Sequence, residues 1–264
     1  MALLERTDRE DTIPQLLRAI NQENFILYGQ LIVPISAPRE SRGYIEVLVR
    51  YLEEEKNLLP PGGFFEVLES LNLMSMLDRW VLNRVVGSMV EQHEVHKEWS
   101  IPRYSVNLSV DSLYENEFLS LIHEYFRRFE LPPGKLGLEI DESDAHTRLD
   151  ELAKLTSSVN PLGCGFTITS YTGELIHPNL LRSLNVESVK MDGKAIAVIS
   201  SDEAARVDAS ATYRACKNQG VRVIAEMVEQ REVLKQLKAL GVDYAQGYAI
   251  CRPAPLHGLH RASK

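Results

Sequence analysis

Short apolar runs alternate with longer amphipathic stretches along most of the 264-residue chain. ILYGQLIVPIS (26–36) and GYIEVLVRYL (43–52) are rich in β-branched and aromatic residues and predict two strands. Residues 73–92 carry apolar side chains at helical spacing and predict a long amphipathic helix. From residue 100 a regular rhythm follows. Strands are expected at 103–109, 135–140, 165–169, 186–191, 221–227 and 242–248. Helices are expected between them at 111–130, 142–159, 202–220 and 230–241, with a short helical stretch near 179–184. This alternation predicts βαβ units around a parallel sheet. About eight strands without a break predict a closed α/β barrel, a modified TIM (β/α)8 fold. The connection between the first two strands, containing APRESRG, is too short for a helical crossover, so one strand is expected to run antiparallel.

The division that follows is an N-terminal lead over 1–22, a barrel over 23–258 and a tail over 259–264. The lead turns helical, with apolar residues at Ile13, Leu16, Leu17 and Ile20, and reads as the end of a connection to an upstream regulatory domain.

Composition narrows the class without changing it. The chain is 44% apolar and 25% charged, as in an ordinary water-soluble globule. No apolar run reaches membrane-span length. A net charge of −8 argues against a broad DNA-binding surface, while leaving room for a local basic pocket. Cys164, Cys216 and Cys251 are far apart and form no CxxC, which suits a reducing cytoplasm and argues against disulfides or a zinc site.

Candidate chemistry sits at the strand ends. Gln30, Glu46, Asn107, Glu139, Lys190, Glu226 and Gln246 fall on successive strands, near the expected mouth of the barrel. Solvated strand ends would explain any one of them, but seven in series point to a site. Carboxylates with an Asn would suit a hard divalent cation. A Lys among them would activate a water or hold a phosphate. His93 and His96 lie three apart on a helix, yet no third ligand is evident, so a solvated helix face is the simpler reading. The run EEEK (53–56) reads as a solvated loop, and Asp192 and Glu229 as acidic remnants or surface charges.

In their order, EVLVR (46–50), SVNLS (105–109), LEIDES (138–143), VKMD (189–192), VIAEMVE (223–229) and QGYAICRP (246–253) resemble the motifs of the EAL domain, the cyclic-di-GMP phosphodiesterase barrel. LPPGGFFEVLE and LDRWVL resemble its early helical region, so the resemblance covers roughly residues 24–256. It implies metal-assisted hydrolysis of a phosphodiester. Glu46, Asn107 and Glu139 then stand at inherited ligand positions, and Lys190 at the residue that orients or deprotonates the water. Glu226 and Gln246 stand in the motifs of the last two strands. Glu142 matches the residue that steadies the neighbouring loop. The family's Asp-Asp pair, which bridges two ions, falls on Thr169 and Ser170, and its Phe on Tyr171.

Neutral hydroxyls supply neither charge nor strong donation to a site that must hold up to four positive charges. The expectation is therefore a degenerate EAL barrel with no catalytic residue set, no metal and no required cofactor. The first strand (GQLI), the EVL signature, the TGELIHPNL loop and AEMVE depart from the family pattern in the same direction, and the combination of QLI, EVL and no Asp pair resembles the FimX-type receptor. Binding positions remain: Gln30, Glu46, Leu48, Arg50, Asp78, Lys190, Glu226, Gln246 and Arg252. Arg50 can fork onto a phosphate, and Asp78 either accepts from a guanine edge or is a helix-surface charge. Arg252 either approaches the ligand or caps the last strand. Three readings stay open: a cyclic-di-GMP receptor, a nucleotide-independent interaction module, and a weak metal-dependent phosphodiesterase. The FimX-type resemblance implies a PilZ-domain partner and a role in type IV pili. The loop 171–180 is expected to offer that partner Tyr171, Leu175 and Ile176, unless it folds back on the barrel.

Overall fold

The computed structural model describes residues 25–36, 42–52, 63–96, 101–199 and 201–259. The N-terminal lead, the core of the APRESRG connection, the EEEK run and the C-terminal tail after Leu259 lie outside these residues.

Among the described residues, nine strands form one sheet. They are β1 (Phe25–Pro34), β2 (Tyr44–Tyr51), β3 (Tyr104–Asn107), β4 (Leu136–Asp141), β5 (Gly165–Tyr171), β6 (Ser188–Met191), β7 (Arg222–Ala225), β8 (Tyr244–Ala245) and β9 (Ala254–Pro255). The order β2-β3-β4-β5-β6-β7-β8-β1 closes on itself through β1–β2, and β9 adds to β1 outside the ring. Strands β2 to β8 are parallel, while β1 runs antiparallel to β2 and β8. The barrel and its antiparallel strand are thus as expected from the sequence. Strand β4 (LGLEID) is buried on both faces, one against the barrel interior and one under helices, so it reads as a nearly continuous buried run.

The helices are α1 (Gly63–Ser70), α2 (Met74–His96), α3 (Asn116–Phe129), α4 (Glu142–His146), α5 (Leu149–Val159), α6 (Pro178–Leu181), α7 (Gly193–Val198), α8 (Glu203–Asn218), α9 (Arg231–Leu240) and α10 (Leu256–Leu259). Helix α3 shows why they dock: Phe118, Ile122, Tyr125 and Phe126 form one apolar stripe at helical spacing and are buried. Gly241, at φ +87°, ends α9 in the left-handed conformation, and its N–H bonds back to Leu237 and Lys238.

Several expected elements are shorter or split. The helix expected at 111–130 opens as a 3-10 turn over Val110–Leu113 before α3 begins. The helix expected at 142–159 breaks at Arg148, whose backbone (φ −144°, ψ 45°) is not helical. The last inner strand keeps only Tyr244 and Ala245, which leaves Gln246 just beyond it.

The strand starts are locked by a charged plug. Arg103 grips Glu187 bidentately at 2.8 and 2.7 Å, Arg222 pairs with the same carboxylate, and the Arg103 guanidinium lies 5.2 Å from the Tyr44 ring centre. Two glycines make room. A Cβ on Gly165 would fall 1.5 Å from Glu187 Oε2, and one on Gly137 2.7 Å from Arg103 Nη2.

Candidate functional site

Side chains two apart on a strand share a face, so Glu46, Leu48 and Arg50 point the same way from β2. The register Val47↔Val106 places the end of β3, Asn107, beside Leu48. Residues Val49–Tyr51 therefore project past β3, paired with β1 through Phe25↔Tyr51, Ile26↔Arg50 and Leu27↔Val49. β9 flanks β1 at Tyr28 and Gly29. The result is a flange above the barrel mouth, carrying Leu48 and Arg50. Arg50 lies diagonally across from Tyr28, its guanidinium 5.9 Å from the ring centre, and its Nη1 donates to the Val49 carbonyl.

Below the flange is a buried charge cluster. Lys190 Nζ lies 2.7 Å from Glu46 Oε2 and 2.5 Å from Glu139 Oε2. Asn107 and Gln246 amides donate to the two oxygens of Glu46 at 2.9 and 2.6 Å. Gln246 also donates to Gln30, and Gln30 to the Cys251 carbonyl. Six of the seven strand-end residues expected from sequence thus meet in one network: Gln30, Glu46, Asn107, Glu139, Lys190 and Gln246. Glu139 lies deeper. Its contact with Lys190 is an ion pair without hydrogen-bond angles, and the Ser105 hydroxyl beside it lacks a well-directed partner. Burial pushes both carboxyls up. In Glu46 the Lys190 charge and the amide donors overcome burial and hold the group below its ordinary range. In Glu139 burial, reinforced by the Glu46 charge, prevails over Lys190 and keeps its pKa raised. Lys190 is desolvated too, yet its two carboxylates hold its pKa above the ordinary lysine value.

Glu226, just past β7, is pushed up to about 7, first by burial and then by the carboxylates of Glu46, Glu139 and Asp192, against the pull of Lys190. Asp192 also caps α7, accepting from Lys194 and Ala195 N–H.

Two cavities flank the flange. One, of about 620 Å³, lies between β2, α2 and the turn after β3, and is lined by Asn72, Asp78, Asn107 and Asp111. The other, of about 270 Å³, is lined by Gln30, Glu46, Glu226, Met227, Gln246 and Tyr248. Leu48 and Arg50 line both, so the flange divides a shared mouth.

Asp78 is not the surface charge weighed from sequence. It is 5% exposed, and its Oδ2 accepts from Ser109 N–H, Ser109 Oγ and Ser112 Oγ at 2.8, 2.6 and 2.7 Å. Burial pushes its carboxyl up to about 6 despite these bonds, with Asp111 adding to the rise. Arg252 is exposed and does not line either cavity; its guanidinium lies 4.4 Å from the centre of the Tyr248 ring at the rim. The two serines that hold Asp78 went unnoticed in sequence, where the only signal was their position after a strand.

Thr169 and Ser170 stand at the tip of β5. Thr169 pairs with Asp141 of β4, and the ladder to β6 then slips between Ile168 and Tyr171. Ser170 occupies the left-handed region at φ +51° within this irregularity. Beyond it, Glu142 gathers the loop. Its Oε2 accepts from Thr172 N–H and Oγ1, both at 2.8 Å, and its Oε1 from the N–H of Gly173 and Ile176. The Tyr171 hydroxyl donates to the Ile176 carbonyl at 2.7 Å. Tyr171 and Ile176 are consequently buried, and of the three side chains expected to face a partner only Leu175 is exposed. The loop folds back on the barrel because one carboxylate satisfies its amides.

The donors at this mouth do not fit a two-ion centre. Glu46 and Glu139 share one ammonium, Asn107 points its amide N–H at Glu46, and β5 offers hydroxyls where two carboxylates would be needed. Among the described residues, no three His, Cys, Asp or Glu groups come together as a metal site, and the side chain of His96 lies outside them.

The fold is shared with known proteins. Cyclic di-GMP phosphodiesterase PdeF of Escherichia coli K12 is 27% identical over 252 residues, 96% of this chain and 33% of that protein. Cyclic di-GMP phosphodiesterase PdeB of Shewanella oneidensis is 29% identical over 245 residues, 92% of this chain and 28% of that protein. The chain thus spans about a third of the length of these relatives. The FimX EAL domain of Pseudomonas aeruginosa, solved bound to c-di-GMP, superposes with a TM-score of 0.82 at 25% identity, covering 93% of this chain and 97% of that one. With the EAL domain profile matching residues 14–253, the chain belongs to the EAL domain family.

Proposed function

We propose that this EAL domain is a receptor that binds cyclic di-GMP without hydrolysing it. The observation that carries the reading is the tip of β5, where Thr169 and Ser170 present hydroxyls in place of a bridging acid pair. Hydroxyls there would leave a second ion without ligands and weaken the hold on a first, and without a bound metal ion there is no low-pKa water to attack a phosphodiester. Binding, by contrast, needs what the mouth retains: Arg50 between two cavities, each large enough to receive part of a dinucleotide. Likeness to a FimX EAL domain solved with this ligand supports the same reading.

Ligand recognition follows from the residues in place. The Arg50 guanidinium takes a phosphate, Leu48 and the cavity walls take the bases, and Gln30, Glu46, Lys190 and Gln246 hold the floor rigid. Neither magnesium nor any other cofactor is needed. Output then passes through a protein, in keeping with the FimX-type resemblance a PilZ-domain regulator of type IV pili, and the chain's net charge of −8 favours a partner with a basic face. A weak phosphodiesterase is the second reading. It is favoured by the survival of Glu46, Asn107 and Glu139 beside Lys190, and by relatives that carry that activity in their names.

Titration of cyclic di-GMP into the protein, with magnesium and with EDTA, separates the two. The receptor reading expects the same affinity in both; binding that disappears with EDTA favours the enzyme.

A further inference from the structure

Met227 adopts a backbone conformation that ordinary side chains avoid. Its φ is +53°, in the left-handed region that a residue with a Cβ rarely adopts. Glycine would fit this place freely, yet methionine stands here. The residue is also 57% exposed, a second unfavourable feature for an apolar side chain.

The surroundings hold the conformation in place. Gln246 N–H donates to the Ala225 carbonyl, Val228 N–H to that of Gln246, and Ala249 N–H to that of Val228. These bonds stitch the segment after β7 to the segment after β8 on both sides of Met227. Gly247, at φ +151°, lets the two backbones touch: a Cβ there would lie 2.2 Å from the Val228 oxygen. Across the other side, the Met227 thioether lies over Gly193, whose missing Cβ would sit 2.3 Å from Sδ. The side chain is thereby laid along the wall of the smaller cavity, in company with Leu48, Arg50 and Tyr248.

Strain of this kind survives where neighbours over-determine it, and it concentrates at ligand clamps. We propose that Met227 is a ligand-contact residue, whose thioether covers the face of a purine base of cyclic di-GMP entering the smaller cavity. The inference rests on the receptor reading. A flexible, polarisable thioether makes favourable contacts with aromatic rings, and a base covering it would remove its exposed apolar surface from water.

Three variants decide the matter: Met227→Gly, Met227→Asn and Met227→Leu, each measured by calorimetric titration with cyclic di-GMP and by thermal melting. Glycine and asparagine both accept the left-handed backbone while removing the contact. Both are expected to weaken binding about 3- to 10-fold with no fall in melting temperature. Leucine keeps an apolar surface and is expected to stay within about 3-fold of the parent. If Met227→Gly destabilises the fold, Met227→Asn carries the test. Parent affinity in the glycine or asparagine variant overturns the inference and leaves the receptor reading standing. Absence of binding by the unaltered protein overturns both.

Discussion

The ammonium of Lys190 lies 2.5 Å from Glu139 Oε2, with both side chains all but sealed from water. Removing one member of such a pair strands its partner without compensation, and here Lys190 compensates Glu46 as well. Lys190→Met should therefore destabilise the barrel by about 3–5 kcal/mol in denaturant titrations. Adding Glu139→Gln should recover part of that loss, because the stranded carboxylate becomes neutral. A single variant as stable as the parent would mean that the carboxylates are solvated rather than buried.

Glu226 should make stability pH-dependent. Its folded pKa of about 7 lies above the ordinary glutamate value of 4.5, so the folded state favours the neutral form. The stability this lends is complete below pH 4.5, declines as pH rises towards 7, and is absent above it. Glu226→Gln should leave the melting temperature at pH 4.5 nearly unchanged and raise it at pH 8, by on the order of 1–3 kcal/mol in stability. A gain at pH 4.5 with none at pH 8 would reverse the assigned direction.

At the opposite end of the strands, Gly165 leaves no space for a side chain beside Glu187. Gly165→Ala should push that carboxylate from Arg103 and destabilise the fold by roughly 3 kcal/mol, without a specific effect on ligand affinity. A melting temperature equal to the parent's would show that the plug can rearrange.

Arg50→Ala removes the phosphate contact proposed for the flange. Affinity for cyclic di-GMP should fall by about 1.5–3 kcal/mol, the value of a charge-assisted hydrogen bond, while the fold is kept. Calorimetry that finds unchanged affinity would place the phosphates elsewhere.

Much of this architecture is legible in the sequence because a barrel strand has a simple pattern, apolar through its length and polar at one end. That pattern located Glu46, Asn107, Glu139 and Lys190 before any contact was visible. Side chains whose environment is made by distant residues were less legible. Tyr171 and Ile176 follow a strand end among Thr, Gly and Glu and read as a surface loop, yet Glu142, some 30 residues earlier, collects that loop's amides and buries them. For Asp78 a helix-surface charge stays open beside a guanine contact because the serines that bond it lie beyond the next strand. The grip of Arg103 on Glu187 joins the starts of two strands 84 residues apart, a separation that no local pattern reports. Helix α7 is six residues long, too short for periodicity to reveal, and depends on its Asp192 cap.

The most direct test of a mouth that binds without cutting is product analysis. The protein is incubated with cyclic di-GMP and magnesium or manganese, and the nucleotides are separated by chromatography. Intact cyclic di-GMP, recovered in full over hours at stoichiometric protein, is the predicted result. Linear dinucleotide formed at roughly 1 per second or faster, as in an ordinary enzyme, would contradict it.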